Sequence, residues 1–459
     1  MIESALIIVP HPDDEINIAS GLFEDLVHSG VYTTVVICTN GDYNPRYVND
    51  RYQEAQKVKK LYGYNELIFL GYGDDYVGPH IYDAVDGSSA ISFHKATETY
   101  STGSSPEYCF SRFAKHHSYT RDNLKSDIKA VICEKKADLL ICVDVDAHPD
   151  HRAVSVLFDM SLGEVLKINT DYRPIILKGF AYLGVWYGSY DLFSYSERSM
   201  QPCILNTCNT NLSRPYEWED RISIKASKNN TSLLLWKNKL FLALWANKSQ
   251  CRYAMSFFPR IANPDVCLWY RSPFNVALQS SIQVSSGNPV FLNDFLLVNP
   301  SDIRAKKNIF FEKSIPWCSD KDDKQPIIRL EFESSKQISL IKVYQHVNSN
   351  IKTLIVSTDL GYKKRIVCKG DRIVVIDDII PKSKILSICV VEYEGESVAI
   401  EEIECYEYIP ELPWHELPFQ PYIGHEKKRC SLFAILLSVL YKVYLKILDI
   451  IKMPPIEDK

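Results

Sequence analysis

Ser4-Ala5-Leu6-Ile7-Ile8-Val9-Pro10-His11-Pro12-Asp13-Asp14-Glu15 is an apolar run that ends in a cluster of imidazole and carboxylate. Six residues with so little polarity suit a strand buried on both faces. A second run, Leu139-Leu140-Ile141-Cys142-Val143, leads in the same way to His148-Pro149-Asp150-His151. Two His/Asp clusters, each at a strand exit, can meet at one edge of a sheet, where open α/β folds build their sites.

Outward from these runs, residues 1–170 alternate strand-like and helix-like patterns. Asp14–Ser29 is expected to form one amphipathic helix stopped by Gly30, and Tyr32–Cys38 a second strand. Arg51–Tyr62 is expected as a helix ending at Gly63, then Glu66–Leu70 as a strand, Arg121–Glu134 as a helix and Ala137–Val143 as a strand. Such alternation implies parallel strands joined by right-handed helical crossovers, a Rossmann-like sheet with helices on both faces. The stretch from Asp74 to Thr120 is rich in Gly, Ser, Tyr and His and reads as a substrate-facing loop or lid. Strands at Ile175–Val185 and Ile222–Ala226 and a helix at Ser232–Ala246 extend this domain to residue 285.

From residue 286 to 408 short alternating segments replace that texture: Ile327–Phe332, Ile338–Tyr344, Thr353–Ser357, Arg372–Ile376, Ile385–Tyr393 and Val398–Tyr406. Their spacing predicts a β-sandwich. Residues 409–429 form a linker. Residues 430–453, behind Lys427-Lys428-Arg429, have a helical pattern with a narrow polar stripe at Ser438, Lys442, Lys446 and Asp449. Three readings apply to it: an interfacial membrane helix, a helix docked on protein or on a sister subunit, or a tilted span with snorkelling lysines.

With 459 residues, more than one domain is expected. Basic and acidic residues number 52 and 57, for a net charge of −5, which argues against a nucleic-acid binder. The 13 cysteines show no Cys-x-x-Cys pair, and Cys38, Cys133 and Cys142 lie in apolar runs, as reduced buried thiols do. The chain enters a strand at once, without the pattern of a signal peptide. The sequons at Asn211 and Asn230 therefore read as chance. A cytoplasmic protein, peripheral at the inner membrane surface, is the resulting expectation.

A catalytic zinc takes three His or carboxylate ligands and leaves a position open for water. Read from the residues alone, His11, Asp14 and one of His148 and His151 can serve as ligands. Asp13 and the other histidine are left for proton transfer and charge stabilisation. Each cluster by itself could instead be a helix start, its aspartates favoured by the helix dipole. Their pairing behind two strands in one domain favours chemistry.

At this point residues 4–260 resemble the LmbE/PIG-L-type zinc-dependent deacetylases of N-acetylglucosaminyl substrates. Pro10-His11-Pro12-Asp13-Asp14-Glu15 matches that family's (A/P)-H-P-D-D-E, and His148-Pro149-Asp150-His151-Arg152-Ala153 its H-P-D-H-x-A. Thr39-Asn40-Gly41-Asp42, Arg51 with Glu54, and Phe69-Leu70-Gly71-Tyr72-Gly73-Asp74 resemble its intermediate turns. The resemblance implies that His11, Asp14 and His151 bind Zn²⁺, or another divalent metal. It implies that Asp13 is the general base and that His148 stabilises the oxyanion or supplies a proton. Arg51 and Asp74 become candidate contacts for an amino-sugar substrate, lipid- or nucleotide-linked. Asp150 and Asp146 stand behind the ligands. Asp146 occupies a place where some relatives carry Tyr, and either orients His148 or caps a turn. Two other readings stand beside de-N-acetylation: a zinc amidase for another acyl amide such as a thiol-sugar conjugate, and a non-catalytic glycan-binding protein. The second domain, from Ile315-Pro316-Trp317 onward, resembles the discoidin/galactose-binding sandwich. His80, His94, His116, His117 and His346 are expected to be loop or packing histidines.

Overall fold

The computed structural model describes residues 1–74, 81, 87–92, 94–103, 106–146, 148–181, 199, 220–232, 234–250, 261–297, 316–346, 349–423, 432, 436, 439–443 and 446–447. The first unit runs β1 (Ser4–Val9), α1 (Asp14–Ala19), α2 (Phe23–His28), β2 (Tyr32–Thr39), α3 (Val48–Tyr62), β3 (Glu66–Tyr72), α4 (Tyr108–Phe113), α5 (Arg121–Lys135), β4 (Leu139–Val143), α6 (Pro149–Ile168), β5 (Ile175–Gly179), β6 (Ile222–Lys225), α7 (Lys239–Ala246) and β7 (Asp265–Arg271).

These strands form one sheet in the order β3-β2-β1-β4-β5-β7-β6. The first five are parallel, and β7 and β6 add antiparallel to the edge. Strand order reverses between β1 and β4. With right-handed crossovers, α1 to α3 therefore lie on one face and α5 and α6 on the other. The exits of β1 and β4 flank the switch point, where such sheets open a crevice. β1, β4 and β5 are buried almost throughout, which accounts for their unbroken apolar runs.

The expected helix over Asp14–Ser29 is two helices. Its break falls at Gly21, where a Cβ would lie 2.5 Å from Val266 Cγ2 and 3.3 Å from the Ala226 Cβ. Close packing against β7 and the residue after β6 thus interrupts a sequence whose periodicity alone would continue. The helix expected over Ser232–Ala246 is also shorter. Asn238 caps α7 by accepting the Phe241 N–H at 2.8 Å, and Leu235–Lys237 before it is a 3₁₀ turn. The stretch after Asp74 is partly ordered by a short ladder. Thr99 N–H donates to His117 O and Tyr119 N–H to Thr97 O, each at 2.8 Å.

The second unit is antiparallel: β8 (Ser281–Val284), β9 (Trp317–Cys318), β10 (Ile327–Gln345), β11 (Asn350–Thr358), β12 (Lys363–Val367), β13 (Ile373–Glu394) and β14 (Ala399–Tyr406). Its path is β12-β11-β13-β10-β14-β9, with β8 paired to the first half of β10. The pairing of β10 with β13 shifts register between Glu331 and Leu340. Bulges of this kind let long strands bend across a core. Ile328 and Leu330 before the shifts and Ile341 and Val343 after them share one buried cluster with Trp317, Ile351, Leu386 and Ile403. This second sheet takes in Ser281–Val284, ahead of the change of texture at residue 286.

The two units share a buried ionic junction. Arg271 on β7 lies 3.5 Å from Asp159 on α6 and 3.7 Å from Glu404 on β14. Tyr344 and Tyr406 hydroxyls donate to the other oxygen of Glu404 at 2.7 and 2.9 Å. Gly163 on α6 lets the chain at Asp294 approach, since a Cβ there would sit 2.3 Å from Asp294 O.

Candidate metal and catalytic centre

The β1 exit carries His11 to Asp14 around a tight turn, and α1 starts from Asp13 in the left-handed region (φ 111°). For a non-glycine residue this conformation is strained and persists only when its surroundings hold it. Two groups do so. Asp13 N–H donates to Glu15 Oε2 at 2.9 Å, and Arg51 Nη2 lies 3.4 Å from Asp13 Oδ2. Glu15 is fully buried, and burial pushes its carboxyl up to about 8.

Three donor atoms converge at the switch point. His11 Nδ1 lies 3.0 Å from Asp14 Oδ2, His151 Nε2 lies 3.2 Å from the same oxygen, and the two nitrogens are 3.3 Å apart. Metal bonds of 2.0–2.1 Å in a tetrahedron separate ligand atoms by about 3.3 Å. The triangle thus has the size that one divalent ion needs. The far nitrogen of each imidazole meets a carboxylate: His11 Nε2 is 2.9 Å from Asp150 Oδ2, and His151 Nδ1 is 2.6 Å from Asp146 Oδ2. Such pairs fix the tautomer and rotation of metal-binding histidines. Asp146 also caps a turn, accepting the His148 N–H through Oδ1 at 2.8 Å. Of the two readings of Asp146, the cap is present. The ring it orients is that of His151, not His148.

Charge favours a cation here. Asp13, Asp14, Asp74, Asp146 and Asp150 gather around three imidazoles and Arg51. Burial lowers the His151 pKa, but Asp146 and Asp14 outweigh it and hold it at about 9. Burial likewise opposes His11, while Asp74, Asp14 and Asp150 hold it well above the usual range. Asp14 lies well below the carboxylate range, because His151 and His11 overcome its burial. Without an ion the triangle therefore keeps protons, whose charge a dication can replace.

His148 caps α6: its Nδ1 accepts the Asp150 N–H at 3.2 Å. That bond leaves the ring proton on Nε2. The ring stands edge-on to His11 at 4.6 Å between centroids and 4.8 Å from His151. One of its nitrogens falls within 4.8 Å of a ring nitrogen of each. Burial raises the Asp13 carboxyl to about 7 against the pull of Arg51.

Arg51 and Asp74 build the wall of this crevice. Arg51 donates to Pro12 O at 2.5 Å and Gly41 O at 3.3 Å, tying the β1 exit to the β2 exit. Gly41 has φ 65°, and a Cβ on it would sit 2.7 Å from Arg51 Nε. Asp74 accepts the Gly41 and Tyr43 N–H groups, both at 3.1 Å. Asp42 was not singled out from the sequence. It accepts the Asp74 N–H and the Tyr100 hydroxyl, both at 2.6 Å, and so joins Tyr100 to the strand exits. Its signal was its place in the Thr39–Asp42 turn.

The loop histidines are used locally. His94 Nε2 lies 2.6 Å from Tyr43 O, and His116 Nδ1 lies 2.8 Å from Glu107 Oε1. His80 falls outside the described residues. Cys109, His117 and Asp127 form a second close group, in which Asp127 receives the Tyr72 hydroxyl at 2.6 Å and the Cys109 thiol at 3.1 Å. With His117 Nδ1 3.0 Å from its other oxygen, this carboxylate is satisfied by protein donors and pins α4 to α5.

Residues 6–160 match the family model described as PIG-L: GlcNAc-PI de-N-acetylase, and this segment is a PIG-L/LmbE-type domain. No curated protein matches the chain. Among solved structures, the chain is similar to an N,N'-diacetylchitobiose deacetylase from Pyrococcus horikoshii, with 15% identity and a TM-score of 0.27 over 40% of this chain and 62% of the other. It thus spans less than two thirds of that enzyme's length. It is also similar to a fucose binding module from Streptococcus pneumoniae (17% identity, TM-score 0.22, 29% of this chain and 98% of the module). A chitosan-binding module from Paenibacillus sp. IK-5 gives 16% identity and a TM-score of 0.22, over 29% and 98%.

Proposed function

We propose that the α/β domain is a divalent-metal-dependent deacetylase that hydrolyses the acetamide of an N-acetylated amino sugar of the GlcNAc type and releases acetate. The observation that carries this reading is the triangle of His11 Nδ1, Asp14 Oδ2 and His151 Nε2, with no edge longer than 3.3 Å. A zinc ion held there would supply Lewis acidity and make a water acidic enough to attack near neutral pH.

The remaining work falls to the chain. Asp13, held by Arg51 and by the Glu15 contact to its own N–H, takes the proton of the attacking water. It then returns that proton to the departing amine, so proton and charge balance. His148, with Nδ1 engaged as an acceptor, presents Nε2–H to the carbonyl oxygen as negative charge develops there. This hydrogen-bonding pattern supports a neutral donor for the oxyanion over a proton source. Arg51 and Asp74, buried and committed to backbone partners, shape the crevice that would receive the sugar. A lipid- or nucleotide-linked amino sugar is the proposed substrate class, and a cytoplasmic position at the membrane surface would suit the lipid-linked case.

The test is metal analysis of the purified full chain, with acetate release from GlcNAc derivatives measured against other acyl amides. Acetate release that is lost to a chelator and restored by Zn²⁺ is expected. Turnover confined to other amides would replace the sugar substrate, and turnover indifferent to chelators would reject the metal.

Asp146→Asn is expected to weaken metal binding about 10–100-fold, because His151 loses the carboxylate that orients it. A chelator competition titration measures this; an unchanged affinity would show that the Asp146 pair serves folding alone.

A further inference from the structure

The tail that follows the sandwich carries an exposed apolar stripe that the chemistry does not use. Leu432, Leu436, Val439, Leu440, Val443 and Ile447 are helical. Leu432 is 88% exposed and the other five 45–55%. At 3.6 residues per turn these six side chains fall within an arc of about 100°. Tyr441, about 140° away from Leu436 on the same helix, is buried in the core cluster of the α/β domain. The helix therefore has an inner side anchored through Tyr441 and an outer side that is apolar. Single exposed apolar residues need no explanation, but a continuous stripe does.

Charge identifies the occupant. Lys442 and Lys446 are exposed beside the stripe. From residue 427 to 452 the sequence holds six basic residues and one acidic residue, in a chain whose net charge is −5. An apolar stripe flanked by lysines suits an anionic lipid surface: the leucines and valines enter the acyl boundary while the ammonium groups meet headgroup phosphates. Among the described residues no helix is long and apolar enough to cross a membrane. We propose that this helix lies flat on an anionic membrane surface and holds the α/β domain against it.

The proposal deepens the reading of a membrane-proximal deacetylase, yet its test is separable from that chemistry. The full chain is sedimented with phosphatidylcholine vesicles, with and without phosphatidylglycerol, at low and high salt. Binding is expected to need the anionic lipid and to fall with salt. The double variant Leu436→Asp/Leu440→Asp changes two solvent-facing positions, so the fold is retained. It is expected to lower vesicle affinity by at least about 30-fold, with acetate release from a soluble amino sugar unchanged. Failure of the wild-type chain to bind anionic vesicles would overturn the proposal, as would equal binding by the variant. A dimer that the variant converts to monomer, without lipid binding, would assign the stripe to a second copy of the chain instead.

Discussion

Asp13→Asn is expected to lower kcat for acetate release about 10²–10⁴-fold, the range for a lost general base, with metal content and melting temperature unchanged. The substitution is nearly isosteric, and asparagine tolerates positive φ better than most residues, so the strained turn at φ 111° should survive. What disappears is the acceptor that Arg51 holds 3.4 Å away. A carboxamide in its place cannot take a proton from water, whereas the ligand triangle does not include residue 13. Steady-state kinetics with metal quantification on the same sample checks this. Turnover within a factor of about two of wild type would exclude Asp13 as the base. Equal loss of metal and activity would make its role one of shaping the turn.

Arg271→Met is expected to destabilise the whole chain by about 3–5 kcal/mol, the usual cost of removing one partner from a buried ion pair. Its guanidinium lies between Asp159 of the α/β unit and Glu404 of the sandwich, with its carbon 3.5 Å from the centre of the Phe295 ring. Methionine keeps much of the apolar stem but leaves the buried Glu404 without its cation, while Asp159 keeps only Lys178, 2.9 Å away. Urea unfolding followed by tryptophan fluorescence measures the change. Adding Glu404→Gln to the variant should recover part of the loss, since the hydroxyls of Tyr344 and Tyr406 can still bond the amide. A loss under about 1 kcal/mol would place Arg271 among weakly coupled pairs and remove it as the tie between the units.

What could be read from the chain differs by element for physical reasons. β1 and β4 were legible because strands buried on both faces leave uninterrupted apolar runs. The clusters after them were legible because two of them stand behind two strands of one domain, although each alone is also a helix start. Residues of the sandwich alternate along β10 and could be seen for the same reason. The break at Gly21 was not legible, because it depends on Val266, some 245 residues away in the chain. The partner of Asp146 escaped too: spacing suggests the neighbour His148, whereas the first turn of α6 turns His151 back onto the carboxylate. Arg271 works through contacts between distant segments, which no local pattern encodes, and the partners of Asp42 at Asp74 and Tyr100 are equally remote although its turn was visible. The pairing of Ser281–Val284 with β10 is likewise set by a strand more than 40 residues further along the chain.

The account is tested most directly by X-ray absorption at the zinc edge on the full-length chain loaded with Zn²⁺. It predicts about one ion per chain, coordinated by two imidazole nitrogens and oxygen, with no sulfur. His151→Ala should release the ion. A sulfur ligand would move the metal to Cys109, and no tightly bound ion at all would contradict the proposed hydrolase.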